Sequence, residues 1–460
     1  MSALLWRRSL KGDRDFGAAI VEGTLPADLR GTLYRNGPGL FESFGKRYAH
    51  PFEADGAVTA LRLGDDGARA ASKIHRTAGL VEERARGKSL YGLGVPWLRR
   101  ITNGLRGKDK NTANTNVMWW NGRLFALMEA GKPTEIDPRT LETIGETDLD
   151  GVVQSWFSAH PHRSARRRTT YNFGLEVGRT MRLHLYALPD DGAARHLGAL
   201  ALDGGPMLHD FIATDDHLIF FVSPVRVSVP RALFAIGGFE KFFSWKPELG
   251  TEVIVVPIDD PMKPVRFHTD AFWQWHFTNA YLRKDGELAV EYVRYPDFAS
   301  FGDLAKDDLG GREHHALAAA RYHRATINLQ RKTFKTDELY GADSSEFPRV
   351  HPELEGAPHR YAWITLGDLE GIGRLDAKTG ALVEHRVGKH QRVSEPIFVP
   401  RAGGSDETDG HVLSLCYDDV RDESFVAVYD GRRLAEGPVA RVWLGYAVPI
   451  TFHGTWVPAA

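Results

Sequence analysis

Apolar and β-branched residues along this chain fall in short runs rather than in helical stripes. Such runs occupy residues 31–35, 57–63, 117–120, 124–128, 209–213, 218–222, 252–258, 287–294, 321–329, 360–365, 411–417 and 425–429, and clusters of Gly, Pro, Asn and Asp interrupt them. Short runs bounded by turn residues predict strands. Convincing helices are few, and no strand–helix–strand alternation is present. Many short strands over so long a chain predict a large antiparallel, all-β architecture.

A weak repeat sharpens this prediction. Ile136-Asp137-Pro138-Arg139-Thr140-Leu141-Glu142 and Leu375-Asp376-Ala377-Lys378-Thr379-Gly380-Ala381 each end one run and begin another, and Tyr429-Asp430-Gly431-Arg432-Arg433 is a looser copy. An Asp at the start of a turn accepts from backbone amides while the chain reverses. Hairpins of this kind suit the outer strands of propeller blades; a sandwich with insertions is the rival, because the spacing is irregular. No Ser/Gly tract, proline run or charge block divides the chain, which predicts one closed domain over residues 1–460.

Two stretches break the strand pattern. Residues 84–108 carry seven Lys or Arg and no acid, interleaved with Leu90, Tyr91, Leu93, Val95, Trp97, Leu98, Ile101 and Leu105. That mixture suits a segment lying in a membrane interface, or a surface insertion packing its apolar face on the domain. Residues 229–245 hold Leu233, Phe234, Ile236, Phe239, Phe242 and Phe243, which fits an apolar entrance or a small satellite core. Insertions are therefore expected near 84–108 and 229–247.

Totals narrow the function classes. The 460 residues have a net charge of −2, so no global field points to nucleic acid, and no recognition motif accompanies the local basic patch. One cysteine, Cys416, excludes an intrachain disulfide and any cysteine-built zinc or iron–sulfur site. The first residues lack the apolar run of a signal peptide, and no window approaches the roughly 18 apolar residues of a membrane span. A cytoplasmic location is expected, with peripheral membrane contact through 84–108 and 229–245.

Among 19 histidines, four sit beside small or aromatic residues in strand-like settings: His160, His209, His276 and His453. They are too far apart in sequence for a compact metal motif, and each taken alone reads as packed core. A propeller removes that objection, because the innermost strands of different blades face one central channel. Four converging imidazoles would suit a first-row divalent metal, iron or zinc among others. Neutral ligands leave the ion's charge uncompensated, and Glu129, Glu346 and Glu395 have strand-end settings from which a carboxylate could accept each ring's other N–H.

At this point the chain resembles a known family, the carotenoid cleavage oxygenases, which include apocarotenoid- and stilbene-cleaving dioxygenases and the retinal-pigment isomerohydrolase. The ordered matches are Leu29-Arg30-Gly31-Thr32-Leu33-Tyr34-Arg35-Asn36-Gly37-Pro38-Gly39, Asn114-Thr115-Asn116-Val117, Ala126-Leu127-Met128-Glu129, Thr140-Leu141-Glu142-Thr143, Ala159-His160-Pro161, His209-Asp210-Phe211, His276 with Asn279-Ala280-Tyr281, Glu346-Phe347-Pro348-Arg349, Ser394-Glu395-Pro396 and Phe452-His453-Gly454. The resemblance implies a seven-bladed β-propeller with a dome of loops and short helices. It implies one Fe2+ held by His160, His209, His276 and His453, with His162 a bystander. Glu129, Glu346 and Glu395 would pair with His209, His276 and His453 in that order, leaving His160 without a glutamate. The implied reaction is oxidative cleavage of a C=C bond by iron(II) and O2 to two carbonyl products, on an apolar polyene.

Met128, Trp273, Trp275, Phe277 and Trp456 are candidate walls of a substrate tunnel. The family's "F-D-G-D-G" reads Phe52-Glu53-Ala54-Asp55-Gly56 here, and Leu282 stands where an acid often follows Asn-Ala-Tyr. Stilbene-cleaving members typically carry a lysine just before the Ala-Leu-x-Glu glutamate. Met128 stands there, which favours a carotenoid or apocarotenoid over a stilbene, although Lys132 is near. A non-catalytic propeller binding an apolar ligand is the reading from another class.

Overall fold

The turn chemistry of the repeat closes three hairpins. Asp137 Oδ1 accepts from the amides of Arg139 and Thr140, Asp376 Oδ1 from those of Lys378 and Thr379, and Asp430 Oδ1 from those of Arg432 and Arg433. Each hairpin joins the third and fourth strands of a sheet, counted from the axis, as the propeller reading requires. The structure is a computed structural model that describes residues 8–92, 95–106, 108–228, 231, 239–306 and 316–459.

Seven antiparallel sheets form the seven-bladed propeller. The second blade runs Asn116–Trp120, Arg123–Leu127, Thr134–Ile136 and Thr143–Glu146 from the inside outward. The third is His162–Ser164, Thr169–Glu176, Met181–Pro189 and Arg195–Leu202. The fourth is Ile212–Ala213, His217–Val222, Thr251–Pro257 and Val265–Thr269. The fifth is Trp273–Leu282, Leu288–Tyr295, Arg321–Asn328 and Thr333–Tyr340, and the sixth Ser345–Arg349, Tyr361–Leu366, Gly371–Asp376 and Leu382–Arg386. The outer three strands of the third blade fall outside the runs picked out from the sequence.

The first and seventh blades close the ring. The chain's last strand, His453–Pro458, is the innermost strand of the first blade and pairs with Gly31–Leu40; Asp55–Gly64, Gly67–Ile74 and Arg14–Ala18 complete that blade. Ile397–Pro400 lies innermost in the seventh blade, followed by Gly410–Asp418, Glu423–Asp430 and Ala440–Trp443, and Ile20–Gly23 pairs on its outer edge. The two strands before residue 24 thus bridge the first and last blades from outside, while residues after 452 do so from inside. Inter-blade packing follows the usual alternation: Leu33, Leu61, Leu413, Val428 and Val442 fill one such layer between these two blades.

Short helices fill the connections, Ala78–Arg86 and Trp97–Leu105 between the first and second blades and the others within a blade. They include Pro51–Glu53, Ala78–Arg86, Trp97–Leu105, Ala299–Leu304 and Leu317–Ala319. The expected 84–108 insertion is the second half of this helical pair. Its Leu90 and Val95 are buried, whereas Trp97 and Leu98 are 56% and 60% exposed. Of the second expected insertion, Leu233, Phe234 and Ile236 lie outside the described residues. No described helix is long and apolar enough to cross a membrane.

Candidate metal centre

Seven side chains meet at the axis, one from each blade or the loop beside it. Glu129 follows the second strand of the second blade. His160 and His209 lie two and three residues before the inner strands of the third and fourth. His276 lies in the inner strand of the fifth, Glu346 in that of the sixth, Glu395 just before that of the seventh, and His453 opens that of the first. The inner strand of the fifth blade slips register on both sides of Phe277, and that of the sixth slips between Glu346 and Arg349. Phe347 adopts φ +49° within the second slip, an uncommon conformation for a bulky residue. Such bulges re-aim side chains and let neighbours face one centre.

The four imidazoles cluster tightly. Ring centroids are 4.3 Å apart for His160 and His209, and 4.9 Å for both His160–His453 and His276–His453. Ligand atoms of His160, His276 and His453 lie within 4.8 Å of one another, as do those of Glu129, His160 and His209. Nδ1 is the paired nitrogen in three rings. His209 Nδ1 faces Glu129, His276 Nδ1 bonds Glu346, and His453 Nδ1 bonds Glu395 Oε1 at 2.9 Å. These are the glutamate pairs expected from the sequence. Among the described residues no carboxylate hydrogen-bonds to His160.

With Nδ1 held by Glu346 and Glu395, the His276 and His453 rings leave Nε2 for another partner. His160 Nε2 and His209 Nε2 are buried and unpartnered. Buried nitrogens without a hydrogen bond are costly unless something occupies them. Converging orphaned imidazole nitrogens, three rings held by carboxylates, fit a divalent first-row metal by donor type and by outer support.

The charges agree. Burial and the neighbouring rings of His209, His453 and His276 hold His160 well below the usual histidine range, so it is a neutral donor. Burial likewise takes His453 down to about 4, against the pull of Glu395. Burial opposes charge on His276 too, but Glu346 overrides it and the net shift is upward. Burial alone would raise Glu395; Arg349, His453 and Arg35 together hold it well below the carboxylate range. Arg35 bonds one Glu395 oxygen and Arg349 the other, the latter at 2.8 Å, while the Gly454 amide donates at 2.9 Å. Residue 454 must be glycine, because a Cβ there would lie 2.3 Å from Tyr34 O and 2.6 Å from Arg35 Cδ. Glu346 is steadied by the Tyr295 hydroxyl at 2.7 Å and the Phe347 amide at 2.8 Å.

Two apolar cavities meet above the histidines at Phe52 and Thr115, which line both. One, about 250 Å³, is walled by Trp275, Tyr295, Leu304, Phe347 and Phe452 and touches His209, His276 and His453. The other, about 570 Å³, is walled by Met128, Trp156, Met181, Leu208, Phe243 and Phe301 and touches Glu129.

The family model described as retinal pigment epithelial membrane protein matches residues 12–458. An apocarotenoid-15,15'-oxygenase from Synechocystis sp. is 32% identical, over 96% of this chain and 93% of that protein. The chain belongs to the carotenoid oxygenase family. Within it, a lignostilbene-alpha,beta-dioxygenase isozyme III from Sphingomonas paucimobilis is 28% identical over 98% of this chain and 96% of its own length. A crystal structure of cobalt-substituted Synechocystis apocarotenoid oxygenase superposes with a TM-score of 0.89 at 30% identity, covering 100% of this chain and 99% of that one. As a carotenoid oxygenase the chain is an enzyme, which sets aside the non-catalytic propeller.

The cavities correct part of the expected tunnel. Trp275 and Met128 line them; Trp273, Phe277 and Trp456 do not. Trp273 sits behind Trp275 against Phe298. Phe277 packs between the fourth and fifth blades with Phe221, and Trp456 packs on Gly31 and the layer between the first and seventh. Among the walls missed, Phe347 and Phe452 stand inside matched motifs and Phe52 opens the altered F-D-G-D-G, so the signal was present there; Tyr295, Trp156 and Phe301 stand in none of them. Lys132 points away, toward Asp148 at 3.7 Å.

Proposed function

We propose that this carotenoid oxygenase uses Fe2+, held by His160, His209, His276 and His453, to cleave a C=C bond of a carotenoid or apocarotenoid with O2. The observation that supports it is the convergence of four histidines, two of them with a buried and unpartnered Nε2, beneath the junction of two apolar cavities. The overall change is R–CH=CH–R′ + O2 → R–CHO + R′–CHO. Iron(II) would supply the electrons that let ground-state O2 react with a closed-shell alkene. The protein does the rest by position: Phe52 and Thr115 hold one double bond over the centre, and aromatic walls exclude water. Glu129, Glu346 and Glu395 fix the ring orientations and offset the ion's charge. No side chain need donate or remove a proton for this stoichiometry.

A stilbene or phenylpropanoid is the second reading, favoured by the lignostilbene dioxygenase among the relatives. Met128 in the cavity wall, with Lys132 turned to Asp148, favours the polyene. A lipid-dissolved substrate also accounts for Trp97 and Leu98 standing exposed beside Arg99 and Arg100, as a peripheral membrane contact. Purified protein should carry about one iron per chain, and His209→Ala should lose it. An iron-free protein that takes up no O2, or a His209→Ala protein with full iron and activity, refutes the reading.

A further inference from the structure

A third cavity, about 40 Å³, lies on the other side of the histidines. His276 and His453 line both it and the 250 Å³ cavity, while His160 lines this one and not the apolar pair. Its character is opposite to theirs. Its walls include His162, Arg163, Asp210, Thr278, Arg349 and Glu355. Thr278 Oγ1 and His160 Nε2 are buried here, the imidazole nitrogen without a hydrogen-bond partner. The two guanidiniums are neutralised, Arg163 by Asp190 at 2.5 Å and Arg349 by Glu395. His162 Nε2 bonds Asp210 Oδ1 at 2.8 Å. The His162 and Arg163 side chains are 18% and 34% exposed, so the polar lining continues toward solvent.

We infer that this axial cavity is the route by which the divalent metal reaches the four histidines, with Glu355 as its carboxylate relay. The inference rests on the histidines being metal ligands. A hydrated divalent ion cannot shed its water cheaply among Phe52, Phe452 and Trp275 of the apolar cavity, because moving charge against an apolar wall is costly. Polar groups that replace water one ligand at a time remove that barrier, as charged rings do in cation pores. The space suffices for water beside Thr278 Oγ1. Glu355 adds the attraction, because a carboxylate in a cleft raises the local cation concentration; burial pushes its carboxyl up, against the pull of Arg349, His162 and Arg163. The substrate and the metal then approach the same centre from opposite faces.

The test is the rate of metal uptake. Chelator-stripped protein is mixed with Co2+, and bound cobalt is followed by rapid desalting and elemental analysis. Glu355→Gln should load about tenfold more slowly at low salt yet reach the wild-type cobalt content, and Glu355→Asp should load near the wild-type rate. Ala318→Trp, which narrows the 250 Å³ apolar cavity, should leave the rate unchanged. Equal rates for Glu355→Gln and wild type, or slow loading in Ala318→Trp alone, overturn the route and leave the metal reading standing. Wild-type protein that takes up no cobalt overturns both.

Discussion

Glu395 carries more of the site than its single charge indicates. It is buried, as is Arg35, and it ties three blades together: its own seventh, the first through His453, Arg35 and the Gly454 amide, and the sixth through Arg349. Removing one partner of such a buried set leaves the others uncompensated, at roughly 3–5 kcal/mol. Glu395→Gln should therefore lower the unfolding free energy measured by urea titration by that much, as well as weaken iron binding; an unchanged unfolding free energy would refute the charge account. A second buried carboxylate gives a pH test away from the metal. Glu291 is lowered to about 2, since His359, Arg324 and Tyr322 outweigh its burial. A depressed carboxylate contributes stability that is fully present above its unfolded value near 4.5 and is lost as pH falls toward 2. Urea midpoints should fall over that window in the wild type and fall less in Glu291→Gln; parallel curves would contradict it. The four histidines and three glutamates were legible in the sequence because each stands inside a motif of the family, although His276 is within a strand and not at its end. Arg35 and Arg349 stood in the same motifs, but their service to Glu395 comes from inter-blade contact, which spacing does not encode.

The closing strand shows the same division at the scale of elements. Its six residues make the inner edge of the first blade, all six in register with residues 31–36, and it opens on His453. Deleting residues 453–460 should remove iron and drop stability together, whereas deleting residues 8–23 strips only outer strands and should leave the iron in place. Retained iron after the C-terminal deletion would refute the role of this strand. The turn Asp residues predicted the outer hairpins correctly, because one side chain satisfies the reversal locally. The tunnel walls were less legible. Trp273, Trp275 and Phe277 share one face in a regular strand, yet the register slips around Phe277 leave Trp275 alone at the cavity. A bulge arises from how neighbouring strands and loops pack, so period-two reasoning passes over it.

For the whole molecule, a closed ring of blades brings residues from 129 to 453 to one point and leaves apolar space on one face and polar space on the other. That asymmetry suits a reaction in which a long hydrocarbon must lie across a cation. Filling the junction, as in Thr115→Phe, should abolish cleavage while iron content stays at the wild-type level; cleavage at the wild-type rate would contradict the junction as the reacting position. The most direct measurement is incubation of the iron-loaded protein under air with a panel of carotenoids, apocarotenals and hydroxystilbenes, with products identified by mass. The account predicts O2 uptake and a pair of aldehydes from one double bond of a carotenoid or apocarotenoid. Aldehydes from the stilbenes alone, or none from any substrate with iron bound, would contradict it.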